Sequence, residues 1–146
     1  MDLDQVISDV HLNGINYHTR EIYLHGSYDE CYECDQEPGI EYRMASKFIK
    51  NLHILERKEK SNILVHLHTK GGVWNDGMAM FNAIRLSPCP ITIVSYAQAS
   101  SMSGVVLQAA DKRFRDDPIT IGQKKRIRVG CDIAAAAGQQ NARIPV

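Results

Sequence analysis

Short apolar runs recur along the chain, and each is followed by residues whose apolar positions repeat at helical spacing. Near-continuous apolar character over a short run is typical of a strand that is buried in a parallel sheet. Such runs predict strands over residues 21–24, 63–68 and 91–94. Helices are predicted by Met44, Phe48, Leu52 and Leu55, by Met78, Phe81 and Ile84 within 77–86, and by small residues over 102–110.

Strands that alternate with helices predict the fold class. Such alternation is typical of βαβ units, whose strands pair in parallel through right-handed crossovers. The sequence therefore predicts an α/β fold with a mainly parallel sheet. Residues 26–39 are rich in Gly, Asp, Glu and Pro and predict a loop.

A serine lies at the junction between the third predicted strand and the helix that follows it. Residues 97–104 are Ala-Gln-Ala-Ser-Ser-Met-Ser-Gly, so small residues crowd a tight turn with Ser101 at the helix start. Helix N-termini carry unpaired N–H groups and favour developing negative charge, which suits a nucleophile. The alternative is an ordinary serine N-cap on a core helix.

A second turn, Gly71-Gly72, follows the predicted strand 63–68. Paired glycines let the backbone approach a ligand closely, and an N–H there can form one arm of an oxyanion hole. The N–H of Met102, directly after the serine, can form the other arm. The alternative is a plain β-to-α turn.

Four short motifs follow one another along the chain: Gly71-Gly72, Gly77-Met78, Gln98-Ala99-Ser100-Ser101-Met102 and Ala109-Ala110-Asp111-Lys112-Arg113. Their order and spacing resemble the Clp-type (ClpP-like) serine protease family over about residues 21–113. The resemblance implies a crotonase-like superfold of repeated β-β-α (βαβ) units. It also implies that Ser101 is the catalytic nucleophile and that the N–H groups of Gly72 and Met102 form the oxyanion hole.

The same resemblance implies partners. The chain would be a subunit of a homo-oligomeric ring that hydrolyses peptide bonds in unfolded polypeptides. An AAA+ unfoldase would deliver the substrate and would use the ATP, so this chain would need no cofactor of its own. An extended substrate would add as a strand beside Gly72 and Val73.

The chain departs from the family pattern in several places. Lys70 stands where the family usually has proline, and Ala97 where it often has glycine. The general-base histidine is expected after the serine, but all six histidines precede Ser101, and residues 123–126 there are Gln-Lys-Lys-Arg. We therefore expect a domain over 1–115 that is incomplete at its C-terminal side, from truncation, a shifted reading frame or a recombined gene end, and a divergent, disordered tail over 116–146. The alternative is a real tail that is specific to this branch of the family.

Three functions remain open at this point. The first is a serine endopeptidase subunit, and the second is a noncatalytic Clp-like structural subunit, which the missing histidine favours. The third is a crotonase-type acyl-CoA enzyme, which shares the oxyanion hole but needs no serine. His68 is a weak candidate for a substitute base, because it ends the strand before the Gly-Gly turn and shares a face with His66.

The composition limits which partners and which cellular compartment we expect for the chain. Seventeen Lys and Arg balance seventeen Asp and Glu, which argues against nucleic acid as a partner despite the basic run over 124–128. No apolar run is long enough to cross a bilayer, so we expect no membrane association and a cytoplasmic location or its phage or organelle equivalent. Cys31 and Cys34 form a single C-x-x-C without a second ligand pair, so we expect no metal site.

Overall fold

The computed structural model describes residues 2–25, 39–96, 100–115 and 128–129. The helices are α1 (Leu3–Ser8), which continues into a π-helical turn (Asp9–Asn13), α2 (Tyr42–Lys58), α3 (Trp74–Leu86) and α4 (Ser101–Gln108). The strands are β1 (Ile15–Asn16), β2 (Glu21–His25), β3 (Ile63–His68), β4 (Ile91–Ser95), β5 (Lys112–Arg115) and β6 (Arg128–Val129). They form one six-stranded sheet whose strand order follows the chain.

The centre of the sheet is parallel, as the sequence predicts. Strands β2, β3, β4 and β5 pair in parallel, with Tyr23 beside His66, His66 beside Val94 and Val94 beside Phe114. Helices α2, α3 and α4 follow β2, β3 and β4 in turn, so each parallel pair is joined through a helix. The α/β fold class is therefore confirmed.

Two strands at the edges pair antiparallel, and the apolar runs did not predict them. Strand β1 pairs with β2, and β6 pairs with β5. Strand β6 lies within the segment 116–146 that the sequence analysis assigned to a tail. The division of the chain at residue 115 stays a prediction.

Helix α2 packs on the sheet through the apolar face that its spacing predicts. Phe48, Leu52 and Leu55 are buried, whereas Met44 in the first turn is only partly buried. Glu41 caps the helix, because its carboxylate accepts hydrogen bonds from the Met44 and Arg43 N–H groups at 2.8 and 2.9 Å. Such a cap satisfies donors that the first helical turn leaves unpaired.

Helix α3 differs from the prediction in both its first residue and its buried face. It begins at Trp74 rather than near residue 77, and its buried residues are Gly77, Met80 and Ile84. Met78 and Phe81, which the spacing placed on the core face, are only partly buried. Two overlapping stripes of apolar residues fit a helical period here, and the packing partner selects one of them.

Arg20 fixes the far end of α2 to the sheet. The residue is only 4% exposed, and its guanidinium donates to the backbone oxygens of Leu55 at 2.8 Å, Ser61 at 2.9 Å and Asn62 at 3.3 Å. It also lies 3.6 Å from the Glu59 carboxylate. These bonds join the end of α2 to the residues that lead into β3.

One face of β3 is less buried than the near-continuous apolar run predicts. Ile63, Val65 and Leu67 are buried, whereas Leu64 and His66 are partly exposed and His68 is exposed. His66 and His68 therefore share a face, as the alternation predicts. Within the described residues, no helix combines the length and the apolar character that spanning a membrane requires.

Candidate active site

Two β-to-α turns meet at the carboxyl ends of β3 and β4. One is the Gly71-Gly72 turn before α3, and the other is the turn that leads into α4 at Ser101. Because β3 and β4 are parallel neighbours, their carboxyl ends lie at the same edge of the sheet. The structure thus brings together Ser101, Gly72 and Met102, the three residues that the sequence assigns to catalysis.

Ser101 has an unusual backbone conformation. Its φ is +52°, and within the described residues the only other non-glycine residue with positive φ is Arg20. A serine in left-handed conformation at a strand-to-helix turn is the geometry of a nucleophile elbow, which exposes the hydroxyl. Ser101 is exposed.

The alternative, that this serine is an ordinary N-cap, does not describe the geometry. The cap position of α4 is Ser100, and its side chain makes no capping hydrogen bond. Its hydroxyl donates instead to the main-chain oxygen of Lys70 at 3.0 Å, in the neighbouring turn. Ser101 is the first residue of the helix itself.

Gly71 lies directly against the serine-bearing turn. Its φ is +107°, and a Cβ there would lie 2.8 Å from Ser101 Cβ, 2.9 Å from Met102 N and 2.9 Å from Ser100 O. Real Cβ atoms do not approach other atoms this closely, so the position requires glycine for both conformation and space. The absent side chain at Gly71 is what lets the two turns touch.

Ile40 holds the other side of the Gly-Gly turn. Its N–H donates to Gly71 O at 2.7 Å, and its carbonyl accepts from Val73 N–H at 2.8 Å. The described peptide bonds are trans, so the Gly72 N–H points opposite to the Gly71 carbonyl and hence away from Ile40. The sequence did not predict this pairing, because residue 40 is far from residue 72 along the chain.

Met102 supplies the second candidate donor. Its N–H lies in the first turn of α4, where helix N–H groups have no partner within the helix. Its side chain is 2% exposed and packs beside Gly77 of α3. The α3 contact fixes Met102, and with it the direction of its N–H.

No hydrogen bond joins Ser101 to a histidine within the described part of the chain. His68 is exposed at the end of β3. His66 is engaged elsewhere, because its Nδ1 lies 2.7 Å from the Tyr96 hydroxyl and its ring stacks on Tyr23 at 4.5 Å. The substitute-base hypothesis for His68 therefore gains no supporting contact.

The surroundings of His66 shift the pKa values of two side chains, His66 and Tyr23. Burial lowers the pKa of His66 below its ordinary value, although the Glu21 carboxylate, 3.9 Å from Nε2, opposes the change. Burial also raises the pKa of Tyr23 to about 12, helped by the hydrogen bond that its hydroxyl donates to Glu21 at 2.8 Å. Burial therefore favours the neutral form of His66.

Several sequence features lie outside the described residues. They are the Cys31–Cys34 pair, the basic run over 124–128 and residues 97–99 of the serine-bearing turn. Among the described residues, no group of His, Cys, Asp and Glu side chains is arranged to hold a metal ion.

The fold defines a class of α/β proteins that solved structures share. ClpP1 from Listeria monocytogenes superposes with a TM-score of 0.56 at 17% identity, over 68% of this chain and 56% of that chain. The ClpP protease catalytic domain from Plasmodium falciparum gives a TM-score of 0.55 at 20% identity, over 68% and 55%. The fold is therefore ClpP-like.

The amino-acid sequence assigns the chain to a family within this fold. The Clp protease family model matches residues 35–118, more than half of the chain, so the chain belongs to the Clp protease family. The ATP-dependent Clp protease proteolytic subunit of Carsonella ruddii is 28% identical over 96 residues, which are 66% of this chain and 43% of that protein. The chain thus spans less than half the length of this curated relative and between half and three fifths of the solved relatives.

Proposed function

We propose that this chain is a subunit of a Clp-type serine endopeptidase with Ser101 as its nucleophile. The observation that carries the proposal is the exposed, left-handed Ser101 at the start of α4, with the Gly71 backbone packed against it. The matching family is the Clp protease family, and the curated relative is a Clp protease proteolytic subunit. The family match also favours a protease over an acyl-CoA enzyme of the same superfold.

The oxyanion would lie between the two turns. When Ser101 Oγ attacks a peptide carbonyl, the carbonyl oxygen gains negative charge and needs donors already in place. The Gly72 N–H points away from Ile40, and the Met102 N–H lies in the unpaired first turn of α4. These two groups would bind the oxyanion, and the positive end of the helix dipole would add to the stabilisation.

The substrate would bind as an extended strand beside Gly72. Ile40 already uses the Gly71 carbonyl and the Val73 N–H, which leaves the Gly72 N–H and carbonyl facing the opposite side. Main-chain pairing of this kind is tolerant of sequence, because the side chains of the substrate do not make the bonds. That tolerance suits an enzyme that degrades many unfolded polypeptides.

The family match supports a proposal about partners and location. A curated relative is named as an ATP-dependent proteolytic subunit. We accordingly propose a homo-oligomeric ring in the cytoplasm or its equivalent, supplied by an AAA+ unfoldase that uses the ATP, with no cofactor in this chain.

A noncatalytic Clp-like subunit is the second candidate, and the histidine distribution favours it. Ser101 must lose its proton to attack, and all six histidines precede it in the sequence. A serine without a base is a poor nucleophile. For this chain we therefore expect slow reaction at Ser101 even if the oxyanion hole is intact.

A fluorophosphonate probe tests both candidates, because its tetrahedral phosphorus adduct also needs the oxyanion hole. We expect slow modification of the folded chain at Ser101, faster than in the urea-unfolded chain and abolished by Ser101→Ala. Ser61→Ala, at an exposed serine remote from the turns, is the matched control and should label normally. Equal rates for folded and unfolded chains would contradict the endopeptidase site and leave the noncatalytic subunit.

A further inference from the structure

The Ser100 hydroxyl links the two turns of the candidate site. It donates to the Lys70 carbonyl at 3.0 Å, and the Lys70–Gly71 peptide leads directly into the Gly-Gly turn. Ser100 itself immediately precedes Ser101. A single side chain thus joins the backbone just before the proposed nucleophile to the backbone just before the proposed oxyanion donor.

The main chain of Ser100 makes a separate bond within α4. The Ser103 hydroxyl donates to Ser100 O at 2.6 Å, a bond that does not involve the Ser100 hydroxyl. On the other side, the Gly71 N–H donates to Thr69 Oγ1 at 3.4 Å, and Thr69 is buried. The Lys70 side of the Ser100–Lys70 bond is therefore attached to a buried residue.

The bond also complements the contact with Ile40. Ile40 holds the Gly71 carbonyl and the Val73 N–H from one side of the turn. Ser100 holds the preceding carbonyl from the side of α4. Together, the contacts from Ile40 and Ser100 hold the Gly71 backbone against Ser101. They also fix the direction of the Gly72 N–H relative to the Met102 N–H.

We propose that Ser100 is a positioning residue that aligns the Gly72 and Met102 N–H groups through its hydrogen bond to Lys70. This inference rests on the proposed function of Ser101. Ser100 does not touch the reacting atoms and acts through the Gly-Gly turn. Its hydroxyl is used for this link instead of for capping α4, which is the common role of a serine at that position.

Three variants test the proposal, each measured in two ways. Ser100→Ala removes the hydroxyl, and Ser100→Thr keeps one. Ser103→Ala removes a hydroxyl from the same helical turn without breaking the link to Lys70. The first measurement is NMR hydrogen exchange of the Gly71 and Val73 amides, and the second is the rate of fluorophosphonate modification at Ser101.

We expect Ser100→Ala to speed exchange of these amides about five-fold, the effect of one ordinary hydrogen bond. It should slow modification of Ser101 by a similar factor, and Ser100→Thr should restore both. Ser103→Ala should lower the thermal midpoint while leaving both measurements near wild type, because the link to Lys70 remains.

Two general results would overturn the proposal, and a third applies where the wild-type protein reacts. One is unchanged exchange in Ser100→Ala, and the other is a Ser103→Ala variant that changes both measurements as much as Ser100→Ala does. In a wild-type protein that reacts, unchanged modification in Ser100→Ala would also overturn it. A wild-type chain that never reacts would refute the proposed function instead, and the link would then be judged by exchange alone.

Discussion

Replacing Gly71 with alanine inserts a methyl group between the two turns of the candidate site. The new Cβ would lie 2.8 Å from Ser101 Cβ and 2.9 Å from Met102 N, whereas ordinary contact begins at 3.4 Å. The turns must therefore separate by roughly 0.5 Å to accept it. The φ of +107° adds backbone strain, because L residues rarely adopt it.

The steric clash and the backbone strain determine the expected changes in stability and in reaction rate. Backbone strain and overpacking each cost about 1–3 kcal/mol, so we expect Gly71→Ala to lower the free energy of unfolding by about 3 kcal/mol. A misplacement of about 1 Å costs about 100-fold in rate, so a shift of half that size should slow reaction at Ser101 about ten-fold. Urea denaturation measures the first quantity, and fluorophosphonate modification measures the second.

Gly14 offers a matched control. Its φ is +65°, and an added Cβ would lie 2.9 Å from the Tyr23 carbonyl oxygen, so Gly14→Ala is strained in a comparable way. It follows the π-helical turn and is distant along the sheet from β4, so it should lower stability without slowing Ser101. If Gly71→Ala reacts at the wild-type rate, the contact between the turns does not position the serine, and the reasoning fails.

Three further predictions concern other parts of the molecule. His68→Ala should leave fluorophosphonate modification of Ser101 unchanged, since no contact joins the two residues, and a large loss of rate would identify His68 as the base. Because the pKa of His66 is lowered in the folded chain, the unfolded chain takes up a proton first as the pH falls. The urea concentration at the unfolding midpoint should therefore drop as the pH falls through about 6.5, the ordinary pKa of histidine, and a His66→Phe variant with the same pH dependence would assign the effect to another group. Arg20→Met should lower the free energy of unfolding by about 3 kcal/mol, because three backbone carbonyls lose a charged donor. A urea midpoint that cannot be distinguished from that of the wild type would contradict this prediction.

Part of the candidate site was predictable from local sequence. Gly71-Gly72 after an apolar run and a serine in a turn of small residues each indicate a β-to-α turn whose backbone is accessible to a ligand. The linking role of Ser100 was not predictable, because a serine before a helix ordinarily caps it. Its hydroxyl reaches a carbonyl thirty residues earlier in the chain, a contact that no local pattern encodes.

The fold, like the candidate site, was predictable from the sequence only in part. The apolar runs determined the three central strands and the order in which helices join them, because burial in a parallel sheet selects near-continuous apolar segments. They did not determine β1, β5 or β6, because these strands of two to four residues contain no run of apolar residues.

The sequence by itself determined the α/β class, the family and the residues at the two turns, because periodicity and motif spacing are properties of the chain alone. Only the tertiary structure decided that Ser101 adopts a left-handed conformation, that Gly71 touches it, and that Ile40 directs the Gly72 N–H away from itself. These features depend on which backbone segments pack together. Residues remote along the chain set that packing through hydrogen bonds and excluded volume.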